Sequence, residues 1–149
     1  VSDHEQLLQL VSQIPPQAKS LMEKYWPGAL TLIFPAQNSL PEIICGKSTF
    51  DGNEISTIAV RMTSHPLAKA LCEEVGAPLV ATSANFSGAN GREAAPQTLD
   101  DIPYEFQQKV DVIIDGKAEA GMASTIVDCT VSPPHILRRG AIELSADDL

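Results

Sequence analysis

The chain has 149 residues, enough for one domain with a substantial core, and its 19 acidic against 10 basic residues give a net charge of −9. That balance argues against a nucleic-acid surface, which needs a basic footprint to neutralise phosphates. No apolar run approaches the ~20 residues of a membrane helix, and VSDHEQ has neither the basic start nor the apolar stretch of a signal peptide.

Cys45, Cys72 and Cys129 lie far apart with no C-x-x-C spacing, which argues against a disulfide framework or a zinc site and favours a reducing cytoplasm. The chain is read as one domain, residues 1–149. Ser2-Asp3-His4-Glu5 reads as a capping box with Ser2 at the N-cap. Leu7, Leu8, Leu10, Val11 and Ile14 follow at helical spacing until Pro15-Pro16. A second helix is predicted from Pro16 to about Tyr25, with Ala18, Leu21, Met22 and Tyr25 on one side. Trp26-Pro27-Gly28 breaks it, and Ala29–Phe34 reads as a buried strand. Trp26, the single tryptophan, is read as a packing anchor at this corner rather than a ligand-stacking ring. Residues 35–54 read as loop around one apolar island, Ile43-Ile44.

Thr57–Met62 is the second predicted strand, and it carries Arg61. A charge on an apolar strand needs a partner. Either a buried carboxylate or an anionic ligand at the strand end would serve, and the residues leave both open. Ser64-His65-Pro66 opens a helix with Ser64 as its cap; Leu67, Ala70, Leu71 and Val75 form the apolar face, and Gly76 ends it. His65 reads as a capping or packing histidine.

Pro78–Ala81 has the length and composition of a buried strand, followed by Thr82, Ser83, Asn85, Ser87 and Gly88. Such a polar loop suits either a ligand site or an ordinary turn. Beyond it, a helix is predicted from Thr98 toward Lys109, a strand and turn at 110–116, and strands at 124–129 and 135–138. The order of elements implies an α/β fold with a mixed sheet.

Arg61, the Ser83–Asn85 loop, and Ser124 with Arg138 are polar features at strand ends. Brought together they supply two guanidinium groups, hydroxyls and an amide, a set that suits a substrate bearing carboxylate and phosphate. No Ser-His-acid triad, metal-ligand cluster or Walker loop is present. The expected site therefore positions anions, with no resident metal and no single catalytic residue evident.

The ordered motifs YWPGALT (25–31), IAVRM (58–62), HPLA (65–68), TSANFSG (82–88), ASTIVD (123–128) and ILRRGA (136–141) resemble the YrdC/TsaC family of threonylcarbamoyl-AMP synthases over nearly the whole chain. The resemblance implies a mixed twisted sheet with flanking helices, lacking the family's amino-terminal part. The P-T-(D/E)-T-x-Y-G and K-x-R segments expected there are absent from this sequence. It also implies a reaction in which L-threonine, bicarbonate and ATP give threonylcarbamoyl-AMP and pyrophosphate. Arg61, Ser83 and Ser124 would hold the threonine or carbamate end. Thr57, Asn85 and Arg138 would hold ATP, with Mg²⁺ on the phosphates.

In the family's L-R-P-G motif Arg139 takes the place of proline here, so a looser turn is expected, with Arg138 keeping the ligand role by register. The implied partners are ATP, L-threonine, bicarbonate, weakly bound tRNA or double-stranded RNA, proteins of a tRNA-modification complex, and a second copy at an open sheet edge. Two other readings stay open: the YrdC-like module of a HypF-type carbamoyltransferase using carbamoyl phosphate, and a non-catalytic double-stranded-RNA-binding module. The net charge of −9 counts against the second.

Overall fold

Burial alternates along Leu30–Ile33 and Thr125–Asp128, because the period-two geometry of a strand gives a sheet one dry face. The computed structural model describes residues 1–50, 52–82, 84, 96, 98–114 and 122–149, with the backbone alone of Phe50. These residues fall into two compact units, 1–80 with 123–149, and 81–122.

The first unit holds a five-stranded sheet made of β1 (Leu30–Pro35), β2 (Gly46–Phe50), β3 (Asn53–Val60), β4 (Thr125–Asp128) and β5 (His135–Arg138). Its order is β2-β3-β1-β4-β5. The central β1–β4 pair is parallel and the other three pairs are antiparallel. The mixed sheet expected from the sequence is therefore present. β2 was not expected: Gly46–Phe50, read as loop for its polar and small residues, pairs with β3 as a hairpin in which Gly52 adopts a φ of +77°.

Leu30, Leu32 and Phe34 of β1, Ile58 and Val60 of β3, and Val127 with Cys129 form one buried face. Leu7 and Val11, and Ala18, Leu21 and Met22 of α2 (Pro16–Tyr25), close over it. Trp26 has the anchoring role expected of it. Its indole N–H donates to the Leu30 carbonyl at 2.8 Å, and its ring meets Phe34 edge-on at 6.1 Å between centroids. Burial, reinforced by the Asp128 charge, pushes the Cys129 thiol up to about 12, so it packs as a small hydrophobe rather than acting as a nucleophile.

The opposite face is concave. In a flat sheet β2 and β4 would stand about 14 Å apart, three interstrand steps. Yet the Ser48 and Thr130 hydroxyls are 3.0 Å apart. Thr130 donates its proton to Asp128 Oδ1 at 2.6 Å, so Ser48 is the donor in the first contact. Only a strongly curled sheet brings them together.

Local chemistry shifted two helix starts. α1 spans only His4–Leu8, and its N-cap is Asp3, whose Oδ1 accepts from Gln6 N at 2.8 Å. Ser2 is displaced outward because Gln6 Oε1 reaches back to its N–H at 3.0 Å. α3 (Pro66–Val75) is capped by His65 Nδ1 rather than Ser64 and ends on Gly76 at φ +68°. Its residues Leu67, Leu71 and Val75 are exposed. Pro78–Ala81 is not a strand, and Val80 is 78% exposed. An apolar run encodes a strand only where a ladder partner exists, and among the described residues none pairs with it.

In the second unit the helix expected from Thr98 is split by Pro103. A 3₁₀ turn, Leu99–Asp101, is closed by a Thr98/Asp101 capping box, and α4 (Tyr104–Gln107) follows. Val110–Ile114, read as part of a strand, is irregular and exposed.

The tail packs back on α2 through Asp148. One carboxylate oxygen meets Lys24 Nζ at 2.6 Å; the other accepts from Ser145 N, Ser145 Oγ and Tyr25 Oη at 2.9, 2.7 and 3.1 Å. The Lys24 contact, then the Ser145 contacts, hold the Asp148 carboxyl below the usual carboxylate range. A depressed folded-state pKa contributes stability that is fully present above about pH 4 and lost as pH falls through the folded value. Asp148→Asn is therefore expected to lower Tm at pH 7 but to match the parent near pH 1. A Tm deficit equally large in strong acid would refute this ionic account.

Candidate functional site

The residues that could meet a ligand are assembled by strand register. Leu32 pairs with Val60, and extending that ladder one step sets Arg61 beside Thr31. Thr31 pairs with Ile126 across the parallel ladder, and Ile126 with Arg138 across the last one. Arg61, Thr31, Ile126 and Arg138 thus form one row across the concave face. The two arginine Cα atoms lie about 14 Å apart along a flat sheet and closer on a curled one. Ser124 stands immediately before β4. The site occupies one end of the sheet, at the carboxyl ends of β3 and β5 and the amino ends of β1 and β4. It is therefore not a purely carboxyl-end site.

Arg138 owes its position to an irregularity. Along a regular strand it would share a face with Ile136, which pairs with Val127 on the buried side. The register shifts between Ile126 and Val127, leaving Leu137 as an extra residue and turning Arg138 to the concave face. There Nε and Nη2 both donate to the Ser124 carbonyl, at 3.0 and 2.8 Å, and Nη2 also donates to Ser124 Oγ at 3.1 Å. The Ser124 and Thr31 hydroxyls are 2.8 Å apart.

Arg61 Nε donates to the Gly28 carbonyl at 2.8 Å. Gly28 is seated by its own N–H on the Met62 carbonyl at 3.0 Å, and a Cβ there would strike the Tyr25 carbonyl oxygen. Partial burial lowers the Arg61 pKa, though an arginine stays protonated. Among the described residues no carboxylate lies within salt-bridge distance of Arg61 or Arg138. Among these residues the Gly28 carbonyl, not a carboxylate, is the partner that Arg61 has. Both guanidinium groups are oriented by carbonyl oxygens and retain donors for an anionic ligand.

The turn after Arg138 is not loose. Thr125 Oγ1 accepts from Gly140 N and Ile142 N at 3.0 and 3.1 Å and donates to the Ile142 carbonyl at 2.6 Å. Gly140 lies so close to Ala123 and Ser124 that a Cβ would collide with their backbone. Arg139 is exposed and its side chain takes no part in these bonds. The S-T pair and the R-x-G motif are therefore one interlocked unit.

Of the residues singled out from sequence, Arg61, Ser124 and Arg138 come together at this end. Thr57 lies on the same face by alternation, but four residues along β3 from Arg61. It is buried against β2, where a Cβ on Gly46 would approach its Oγ1 at 2.9 Å. The structure does not bring it to Arg138. Ser83 and Asn85 lie outside the described residues. Thr31, Thr125 and Gly140 were not singled out as site residues. A polar residue in the outward phase of an otherwise apolar strand, as in Leu30-Thr31-Leu32, is the signal that could have found Thr31.

The Sua5/YciO/YrdC family model, described as telomere recombination, matches residues 1–140. Threonylcarbamoyl-AMP synthases from Pyrococcus abyssi and Bacillus subtilis are each 36% identical, over 97% and 95% of this chain. The chain spans 39% and 38% of the length of those two relatives. The structure of P. abyssi Sua5 complexed with L-threonine superposes with a TM-score of 0.78 at 36% identity, covering 94% of this chain and 38% of that one. Escherichia coli YciO, at 24% identity and a TM-score of 0.68 over 96% of this chain and 65% of its own, shows the same fold. Among the described residues no helix is long and apolar enough to cross a membrane. With the family model matching nearly all of its length, and two relatives 36% identical over at least 95% of it, the chain belongs to the Sua5/YciO/YrdC family.

Proposed function

We propose that this chain carries part of the substrate site of an L-threonylcarbamoyladenylate synthase serving threonylcarbamoyladenosine modification of tRNA in the cytoplasm. The observation that carries this reading is the pair of guanidinium groups on one cross-strand row, neither with a carboxylate partner among the described residues, with the Ser124–Thr31 hydroxyl pair between them. Such a row suits a substrate with anionic groups at both ends. The relative complexed with L-threonine and the synthases among the relatives supply the substrate class.

In this reading Arg61, Ser83 and Ser124 hold the threonine carboxylate or its carbamate, and Asn85 and Arg138 hold ATP, with Thr57 further along the same face lining the far end of the nucleotide site. The threonine amine condenses with bicarbonate, a C–N bond forming as a C–O bond breaks and water leaves, and an oxygen of the resulting carbamate attacks the α-phosphorus. A P–O bond forms there as the α–β anhydride bond breaks and pyrophosphate departs. The residues orient the reactants and neutralise charge, which is the greater part of phosphoryl-transfer catalysis. Mg²⁺ enters with ATP as part of the substrate. Among the described residues no group of three His, Cys, Asp or Glu forms a cage for a resident ion.

The test is pyrophosphate release by the chain with ATP, Mg²⁺, bicarbonate and L-threonine, run beside calorimetric titration with each substrate. Threonine-dependent release, or binding of both L-threonine and ATP without release, supports the assignment. The second result would mean a substrate site that needs further protein for turnover. Failure to bind either substrate would remove it.

A further inference from the structure

Thr31 sits at the middle of the guanidinium row, and its hydroxyl has one neighbour among the described residues, Ser124 Oγ at 2.8 Å. Proton counting shows what that contact does. Arg138 Nη2 can only donate, so Ser124 Oγ is the acceptor in their 3.1 Å contact. The two hydroxyls own two protons, and their mutual bond consumes one. If Thr31 donates, Ser124 has accepted twice and its own proton is left over. If Ser124 donates, the proton left over is that of Thr31. Either way one hydroxyl proton remains, with no protein acceptor among the described residues, on the face that Arg61 and Arg138 also line.

We infer that Thr31 is a positioning residue of this site: it fixes the Ser124 hydroxyl so that the pair offers a donor to the ligand. The inference rests on the proposed threonine-binding role and makes it more specific. To satisfy the leftover proton, a group seated on the pair must accept a hydrogen bond, which a carboxylate oxygen does more strongly than an alcohol and an ammonium cannot do. Without Thr31, Ser124 Oγ still accepts from Arg138, but its proton is free to rotate away from the ligand. Staggered χ1 wells are separated by little when no partner selects among them.

The experiment compares L-threonine with L-threoninol, which carries an alcohol where the amino acid carries a carboxylate. Both are titrated calorimetrically into the parent chain, Thr31→Val and Thr31→Ser. Valine preserves the β-branched shape and strand preference while removing the hydroxyl. Thr31→Val is expected to bind L-threonine roughly tenfold more weakly, the usual effect of one hydrogen bond. L-threoninol binding should weaken distinctly less, its alcohol being the poorer acceptor; Tm should stay at the parent value, and Thr31→Ser should restore L-threonine affinity. Parent-like L-threonine binding by Thr31→Val would overturn the inference and leave the proposed function standing. Equal weakening of both ligands with a lowered Tm would also overturn it, as the mark of a structural role. A parent chain that binds no L-threonine would defeat the proposed function, and this inference with it.

Discussion

Thr125→Val is expected to destabilise the first unit by about 3 kcal/mol or more, a large loss for a substitution that changes almost no volume. Thr125 is 1% exposed and its hydroxyl makes three bonds, receiving the N–H groups of Gly140 and Ile142 and donating to the Ile142 carbonyl. Valine fills the same space but leaves two donors and an acceptor without their partner. Each buried group so orphaned costs about 1–3 kcal/mol, less whatever the turn recovers by opening to water. The same opening frees Arg138, two residues before Gly140, so ligand affinity should fall with stability. Thr125→Ser keeps the hydroxyl and should lose far less. Urea unfolding followed by the fluorescence of Trp26 reads the difference, and a loss under about 1 kcal/mol would show that the three bonds do not hold the turn.

Arg138→Ala should leave Tm close to the parent value and weaken ATP binding by about 10- to 100-fold, the range expected for charge-assisted hydrogen bonds. Its side chain is exposed and among the described residues bonds only to Ser124, so folding gains little from it. Its remaining donors and its charge face the concave surface without a carboxylate competitor among the described residues. Arg138→Lys is not a conservative change here. A lysine ammonium cannot straddle the Ser124 carbonyl through two nitrogens while presenting a third outward. Most of the loss should therefore appear in lysine as well. Full ATP affinity in the lysine variant would reduce the role of Arg138 to bare charge.

The chain's local grammar announced its helices better than its sheet. α2 was legible to the residue because Pro16 opens it, its apolar spacing is regular and Trp26-Pro27 ends it. The caps of α1 and α3 were misplaced by one residue, since Ser2 and Asp3, or Ser64 and His65, are chemically alike as acceptors. Sheet membership depends on partners that composition does not name. Gly46–Phe50 became a strand because β3 offered it an edge, and Pro78–Ala81 stayed irregular without one. Arg61 stood out because a charge in an apolar strand is anomalous on sight. Arg138 could be suspected but not placed. Plain alternation puts it on the same face as Ile136, and only the extra residue Leu137 reverses its phase. Thr125 was invisible for another reason: its partners at 140 and 142 are defined by a turn that its own hydroxyl creates.

The parallel pairing of β1 with β4 has a consequence for how the protein is made. Residues 30–33 must wait for 125–128, across a separation of some ninety positions, before the middle of the sheet can close. On the ribosome β1 can gain its β3 neighbour early, but its other edge stays open until β4 has emerged. Such non-local closure makes folding slow and leaves Leu30, Leu32 and Phe34 dependent on shielding in the interval. Ribosome-arrested chains ending before β4 should accordingly be protease-sensitive around residues 30–60, with protection arriving only once the Thr125 turn is free of the exit tunnel.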